Sequence, residues 1–137
     1  MSAERGLVLV DTSIWIELLR HPDHAVRPLV DDLLTENRAR FCAAVVAELL
    51  QGATTTKDLM AVEDLRQAVP SLEASDDTWL AAGRLSQKLR SKGAVIGLLD
   101  CYLSELAIRH RCPILSLDKH FPLIAKHASL DLFPFKV

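Results

Sequence analysis

A chain of 137 residues, half of them apolar and a quarter charged, has the balance of an ordinary soluble globular protein and the length to bury a sizeable core. Its formal net charge of -2 excludes a global pull toward nucleic acid or anionic membrane, so a polyanionic partner has to be held locally. The opening MSAERGLVLV has only a short apolar run and no small-residue cleavage site, which reads as neither secretion signal nor membrane span and points to the cytoplasm.

Leu7 to Val10 is a continuous Val-rich run, the signature of a strand buried on both faces. Ile14, Trp15, Leu18 and Leu19 follow at helical spacing, with Ser13 able to cap and Pro22 as the stop. Val26, Leu29, Val30, Leu33 and Leu34 form one stripe of a second helix. RFCAAVVAELLQG, residues 40 to 52, reads as a strand running into a helix that Gly52 ends. Leu59, Val62, Leu65 and Val69 predict another helix, closed by Pro70, with a weak strand around Ser71 to Ala74. In SDDTWLAAGRLSQKLRSKG, Ser75 or Asp76 caps a helix whose acids lie in the first turn and bases in the last, with Gly93 beyond. A helix through GLLDCYLSELAIRHR comes next, then a strand in PILSLD, then a short edge strand in LDLFPF stopped by Pro134.

Strands alternating with helices predict an α/β fold, a three-layer α/β/α sandwich around a mostly parallel sheet of about four or five strands. Ligands of such sheets bind at the carboxyl ends of the strands. Cys42, Cys101 and Cys112 are an odd number without metal-ligand spacing, and read as buried reduced thiols. Trp15 and Trp79 lie on helix stripes and read as core.

Four carboxylates interrupt these apolar patterns at that same carboxyl edge. Asp11 directly follows the first strand, and Asp118 directly follows PILSL. Glu48 lies one to two turns into the helix after RFCAAV, and Asp100 in the first turn of the helix opened near Gly97. Each has a plainer role as well. Asp11 fits an N-cap, Asp100 complements a helix dipole, Glu48 fits a helix surface, and Asp118 opens a turn. Their coincidence at one edge is what points to chemistry. Two carboxylates about 4 Å apart repel by roughly 4 kcal/mol at a near-surface dielectric, so four of them raise one another's pKa or recruit a cation. Oxygen donors alone select Mg²⁺ or Mn²⁺ over Zn²⁺, and a cation so held suits phosphodiester hydrolysis.

The segments VLVDTSIWIELL, VVAELLQG, IGLLDCYLSELA and ILSLDKHF together resemble the PIN domain, and within it the VapC toxins of bacterial toxin–antitoxin pairs. The likeness runs from Leu7 to about Phe121 and keeps the four motifs in order, so that the whole chain, residues 1–137, is expected to be one PIN domain. The resemblance implies an endoribonuclease that needs Mg²⁺ or Mn²⁺ and cleaves RNA with water, leaving a 5′-phosphate and a 3′-hydroxyl. It also implies a homodimer, inhibited by a VapB-like antitoxin that covers the acidic site. Carried over, the catalytic and metal-binding acids are Asp11, Glu48, Asp100 and Asp118, with Ser13 and Ser116 as hydrogen-bonding supports beside the first and fourth. Many relatives carry a further acid two positions after the fourth, where this chain has His120. Arg109, Arg111, Lys119 and His120 are the candidate RNA contacts, against the plainer reading of solvated helix ends. A PIN-like module that binds RNA without cutting it is the alternative. A receiver-type signalling domain is the other, although it wants an acid pair after the first strand and here Asp11 stands alone.

Overall fold

The computed structural model describes residues 6–135. The run at Leu7 to Val10 becomes strand β1 (Val8–Val10), each of whose residues is completely buried, as a central parallel strand must be. Helices α1 (Thr12–Arg20) and α2 (Arg27–Thr35) lead to β2 (Ala39–Arg40). Helices α3 (Ala43–Gly52), α4 (Thr56–Ala68), α5 (Asp76–Ser91) and α6 (Leu98–Arg109) then precede β3 (Ile114–Leu115) and α7 (His120–Ala125).

The sheet has the order β2-β1-β3, all parallel, with Val8 opposite Ala39 and Leu9 opposite both Arg40 and Ile114. A single parallel bridge extends each margin, Phe41 with Ser71 on one side and Ile114 with Leu132 on the other. The Ser71 bridge rests on Phe41 N–H to Pro70 O at 2.9 Å and Leu72 N–H to Phe41 O at 2.8 Å. The Leu132 bridge uses Ile114 N–H to Asp131 O at 3.0 Å and Phe133 N–H to Ile114 O at 2.8 Å. The expected four or five strands are therefore present as three regular strands and two one-pair margins. Prolines 70 and 134, which lack an N–H, flank those margins and keep them short.

Connections in one direction across the sheet use α1 to α4, and those in the other use α5 to α7. Right-handed crossovers place the two sets on opposite faces, giving the α/β/α layers. In keeping with this, α1 packs on α3 and α3 on α4, whereas α5 packs on α6 and α6 on α7. Between the layers lies a core that includes Phe41, Phe121, Leu9, Ile14, Leu103 and Leu106, all at most 1 % exposed. Phe41 tilts against Trp15 at 4.8 Å between ring centroids, and Trp15 Nε1 donates to Val10 O at 3.1 Å.

Three local expectations change. Of the two residues able to cap α1, it is Asp11 and not Ser13 that does so: Asp11 holds the extended N-cap conformation (φ -71°, ψ 158°) and accepts the Ser13 N–H. Trp79 is not core: 44 % exposed, it stacks on the buried Tyr102 at 3.9 Å and shields it from water. Leu34 ends the α2 stripe partly in solvent, at 37 % exposure. The three cysteines are free and buried as expected, and burial pushes each thiol above its usual value, which makes them poor nucleophiles. Among the described residues, no helix is long and apolar enough to cross a membrane.

Because the Phe41 ring is completely buried and packs on Trp15, Phe41→Ala is expected to lower unfolding stability by about 3–5 kcal/mol. Urea denaturation checks this: the midpoint falls while the slope stays unchanged.

Candidate active site

The sheet delivers two acids directly. Asp11 is the first residue beyond β1, anchored by its N–H to Leu115 O at 2.9 Å. Asp118 follows β3 by three residues, in the turn before α7. Asp11 is only 4 % exposed, and its Oδ2 accepts from Ser13 Oγ at 2.8 Å, Ser116 Oγ at 2.7 Å and Ser13 N–H at 3.3 Å. Ser13 Oγ in turn accepts Leu117 N–H at 3.0 Å, and Ser116 Oγ accepts Asp118 N–H at 2.9 Å. Each serine thus passes its one proton to Asp11 and takes one from the loop that carries Asp118. The two serines act as braces between the strand ends, as the sequence suggested.

The helices deliver the other two. Glu48 reaches the edge from α3 and accepts Thr12 Oγ1 at 2.6 Å across 36 residues of sequence. Burial raises its pKa first; the Thr12 hydrogen bond opposes this, and the charges of Asp11 and Asp100 add to it. Asp100, in the first turn of α6, is also raised chiefly by burial and further by the charges of Asp118 and Asp11, while the hydrogen bond from His120 pulls it down. The charge of Asp11 therefore acts on both Glu48 and Asp100, and that of Asp118 on Asp100, at one edge of the sheet.

His120 completes it. Its Nδ1 lies 2.7 Å from Asp100 Oδ2 and 3.5 Å from Asp118 Oδ1, and its backbone N–H bonds Asp118 Oδ1 at 2.9 Å. Its imidazole pKa is raised, first by the Asp100 hydrogen bond, against a desolvation effect and with help from both aspartate charges. Ligand atoms of Asp100, Asp118 and His120 all lie within 4.8 Å of one another. The donor set is rich in carboxylate oxygen and fits a hard or borderline divalent cation.

The PIN domain family matches residues 8–127. The chain belongs to the PIN-domain family. Over 134 residues it is 33% identical to ribonuclease VapC11 of Mycobacterium tuberculosis and equally to a VapC ribonuclease of Mycobacterium bovis, covering 95% of this chain and the whole of each relative. Two solved structures share the fold. VapBC2 from Rickettsia felis, bound to a DNA fragment from its promoter, has a TM-score of 0.78 at 19% identity over 95% of this chain and 99% of that one. VapBC-1 from nontypeable Haemophilus influenzae has a TM-score of 0.74 at 20% identity over 93% and 96%.

Not every expected residue reaches the acidic edge of this PIN domain. His120 does, through Asp100 and Asp118, and Lys119 precedes it as an exposed residue next to Asp118 in the chain. Arg109 and Arg111 do not. Asp100 stands at one end of α6 and Arg109 at the other, about 13 Å apart at 1.5 Å per residue. Arg109 instead donates to Asp77 O at 3.3 Å at the start of α5. Arg111 sits in the turn after α6 with a φ of 54°. Two participants were missed by the sequence reading: Thr12, which holds Glu48, and the contact of His120 with the acids. Thr12 directly follows Asp11 in the first motif, but a threonine there is equally an ordinary first helical residue, so the sequence carries no distinguishing signal.

The raised pKa of Glu48 has a definite sign. The folded chain binds its proton at higher pH than the unfolded chain does, so ionisation of Glu48 weakens the metal-free fold as pH rises above the usual glutamate value of about 4.3. Glu48→Gln keeps an acceptor for Thr12 and removes that charge. Its thermal midpoint without metal is expected to exceed the wild type's at pH 7, with the advantage shrinking as pH falls toward 4. Melting curves across that range check it; a constant difference between the proteins contradicts the assignment.

Proposed function

We propose that this protein is the toxin of a toxin–antitoxin pair, an endoribonuclease that hydrolyses RNA phosphodiester bonds with Mg²⁺ or Mn²⁺ and is silenced by a VapB-like antitoxin. The carrying observation is the meeting of acids from four separate elements at the carboxyl edge of the sheet, in a chain of the PIN family whose relatives are VapC ribonucleases. The reading takes residues 1–137 as one PIN domain, acting in the cytoplasm as a homodimer.

Asp11 and Asp100 are the residues that would hold the cation, with Glu48 and Asp118 as direct or water-mediated partners. A divalent cation bound there supplies positive charge to a phosphoryl oxygen and to the leaving 3′-oxygen. The side chains of the chain do the rest. Glu48 keeps Oε1 on Thr12 and has its second oxygen to orient a water, and its raised pKa makes it a better proton acceptor than an ordinary glutamate. As the water oxygen bonds to phosphorus it gives one proton to Glu48, the bond from phosphorus to the 3′-oxygen breaks, and that oxygen takes a proton from bulk solvent. The products are a 5′-phosphate and a 3′-hydroxyl. Lys119, exposed beside Asp118, is the cation placed to receive a neighbouring phosphate. Arg109 and Arg111 lie too far from the acids for that task.

An apolar groove supports the protein-partner half of the reading. It runs between α1, α2 and α4, encloses about 330 Å³, and is walled by Trp15, Leu18, Leu19, Leu34 and Leu65. Leu19 also borders a smaller cavity of about 120 Å³ that opens on Glu48.

Purified protein is expected to cut bacterial RNA with Mg²⁺ or Mn²⁺ and to stop on chelation. Asp100→Asn, purified identically, is expected to lose at least about a hundredfold in rate. Cleavage that survives the substitution contradicts the assignment, and tight RNA binding without cleavage by the wild type favours a binding module instead. In the same assay Lys119→Ala is expected to raise KM with kcat little changed, and to reduce the salt dependence of binding by about one phosphate contact.

A further inference from the structure

The mouth of the site joins two kinds of donor. Two positions after the fourth acid stands His120, and its imidazole is turned inward. Nδ1 is 2.7 Å from Asp100 Oδ2 and 3.5 Å from Asp118 Oδ1, and all three ligand atoms fall within a 4.8 Å span. Ligands about 2.1 Å from one cation stand roughly 3 Å apart when cis and roughly 4 Å apart when trans, so these spacings are close to those of a shared coordination sphere.

The arrangement is built by the backbone. Asp118 Oδ1 accepts the His120 N–H at 2.9 Å, and the Asp118 N–H is given to Ser116 Oγ at 2.9 Å. Carboxylate and imidazole therefore ride on a single turn braced to the end of β3. Asp100 approaches from α6, a different element, so no local turn preference accounts for its meeting with His120. The imidazole side chain is 48 % exposed. Without metal, Nδ1 gives its proton to Asp100 Oδ2; a cation bound there would displace that proton, leaving a neutral ring protonated on Nε2 whose Nδ1 lone pair is the ligand.

We propose that His120 is itself a metal ligand, and that it converts an all-carboxylate site into a mixed oxygen–nitrogen site that takes Mn²⁺ in preference to Mg²⁺. This rests on the metal-dependent nuclease reading and adds the identity of the cation to it. Mg²⁺ is served by carboxylates and water and gains little from an imidazole, whereas the first-row transition ions gain substantially from a nitrogen donor.

The test is metal binding to the full chain, measured by calorimetry with Mn²⁺ alone and Mg²⁺ alone. Wild type, His120→Ala, His120→Asp and Asp100→Asn are compared. Pulsed electron paramagnetic resonance of the Mn²⁺-loaded samples reads directly whether nitrogen is bound. The wild type is expected to prefer Mn²⁺ and to show nitrogen modulation. His120→Ala is expected to lose about tenfold or more in Mn²⁺ affinity, with Mg²⁺ affinity changing less than about threefold, and to lose the modulation. His120→Asp is expected to bind Mg²⁺ at least as well as the wild type and to lose the preference. The partial exposure of His120 lets both variants keep the fold, which circular dichroism checks. If His120→Ala binds Mn²⁺ unchanged or more tightly and the wild type shows no nitrogen modulation, the imidazole is only a counter-charge to the aspartates and the proposal is wrong. If the wild type binds neither metal, the metal-dependent reading falls with it. If Asp100→Asn abolishes binding while His120→Ala does not, the nuclease reading stands and this inference alone fails.

Discussion

One carboxylate oxygen fastens the central strand, β1, to its neighbour β3 at their carboxyl ends. Oδ2 of Asp11 receives the hydroxyl protons of Ser13 and Ser116, which sit beyond β1 and β3 respectively. Hydrogen bonds to an ionisable oxygen are among the stronger ones a protein makes, and this group is nearly sealed from water. The two serines then bond the amides of Leu117 and Asp118, so the loop that carries the fourth acid inherits its position from the first. Trp15 works on the same point from beneath, holding the carbonyl of Val10 one residue before Asp11. The acidic edge is therefore a rigid extension of the sheet, which is what a site needs if its groups are to hold their geometry without a ligand.

This rigidity has an electrostatic cost. Burial and mutual repulsion lift the pKa of both Glu48 and Asp100, so each is less comfortable as an anion than it would be in water. The fold meets the problem in different ways at its two flanks. At Glu48 a neutral hydroxyl, Thr12, gives a hydrogen bond but no charge. At Asp100 an imidazole lies against the carboxylate and responds with a raised pKa of its own. The titratable partner, His120, is half-exposed, whereas the neutral one, Thr12, is buried. Activity that depends on crowded charge is commonly bought with stability, and here the large apolar core between the helical layers carries that load.

The acids were legible in the sequence because each breaks an apolar pattern that β1, α3, α6 and β3 otherwise keep. The parallel sheet was legible for the same reason, through the unbroken runs at Leu7 and Pro113. Charges without such a break were harder to place. Arg109 and Arg111 lie close to Asp118 in sequence, but a full helix separates them from Asp100 in space, since α6 runs back along the sheet before β3 begins. Trp79 obeys the helical stripe of α5 and is nonetheless half outside, because the ring it packs on, Tyr102, needs only one face covered. The role of Thr12 depends on a partner 36 residues away, a distance at which periodicity is silent.

Strand order has a consequence for the order of events in synthesis. β1 is the first strand made and the central one, but its neighbour β3 is the last regular strand, and Asp118 lies beyond that. A growing chain can assemble α1 to α4 around β1 and β2 well before this, and will hold Asp11 and Glu48 near each other with nothing across from them. Pairing of β3 with β1 is the most non-local step in the fold, and such contacts form late. The serine bridge and the fourth acid arrive together with that final closure. The acidic edge is thus incomplete until nearly all of these residues have been made, so the groups that crowd charge against one another meet only in the last step of folding.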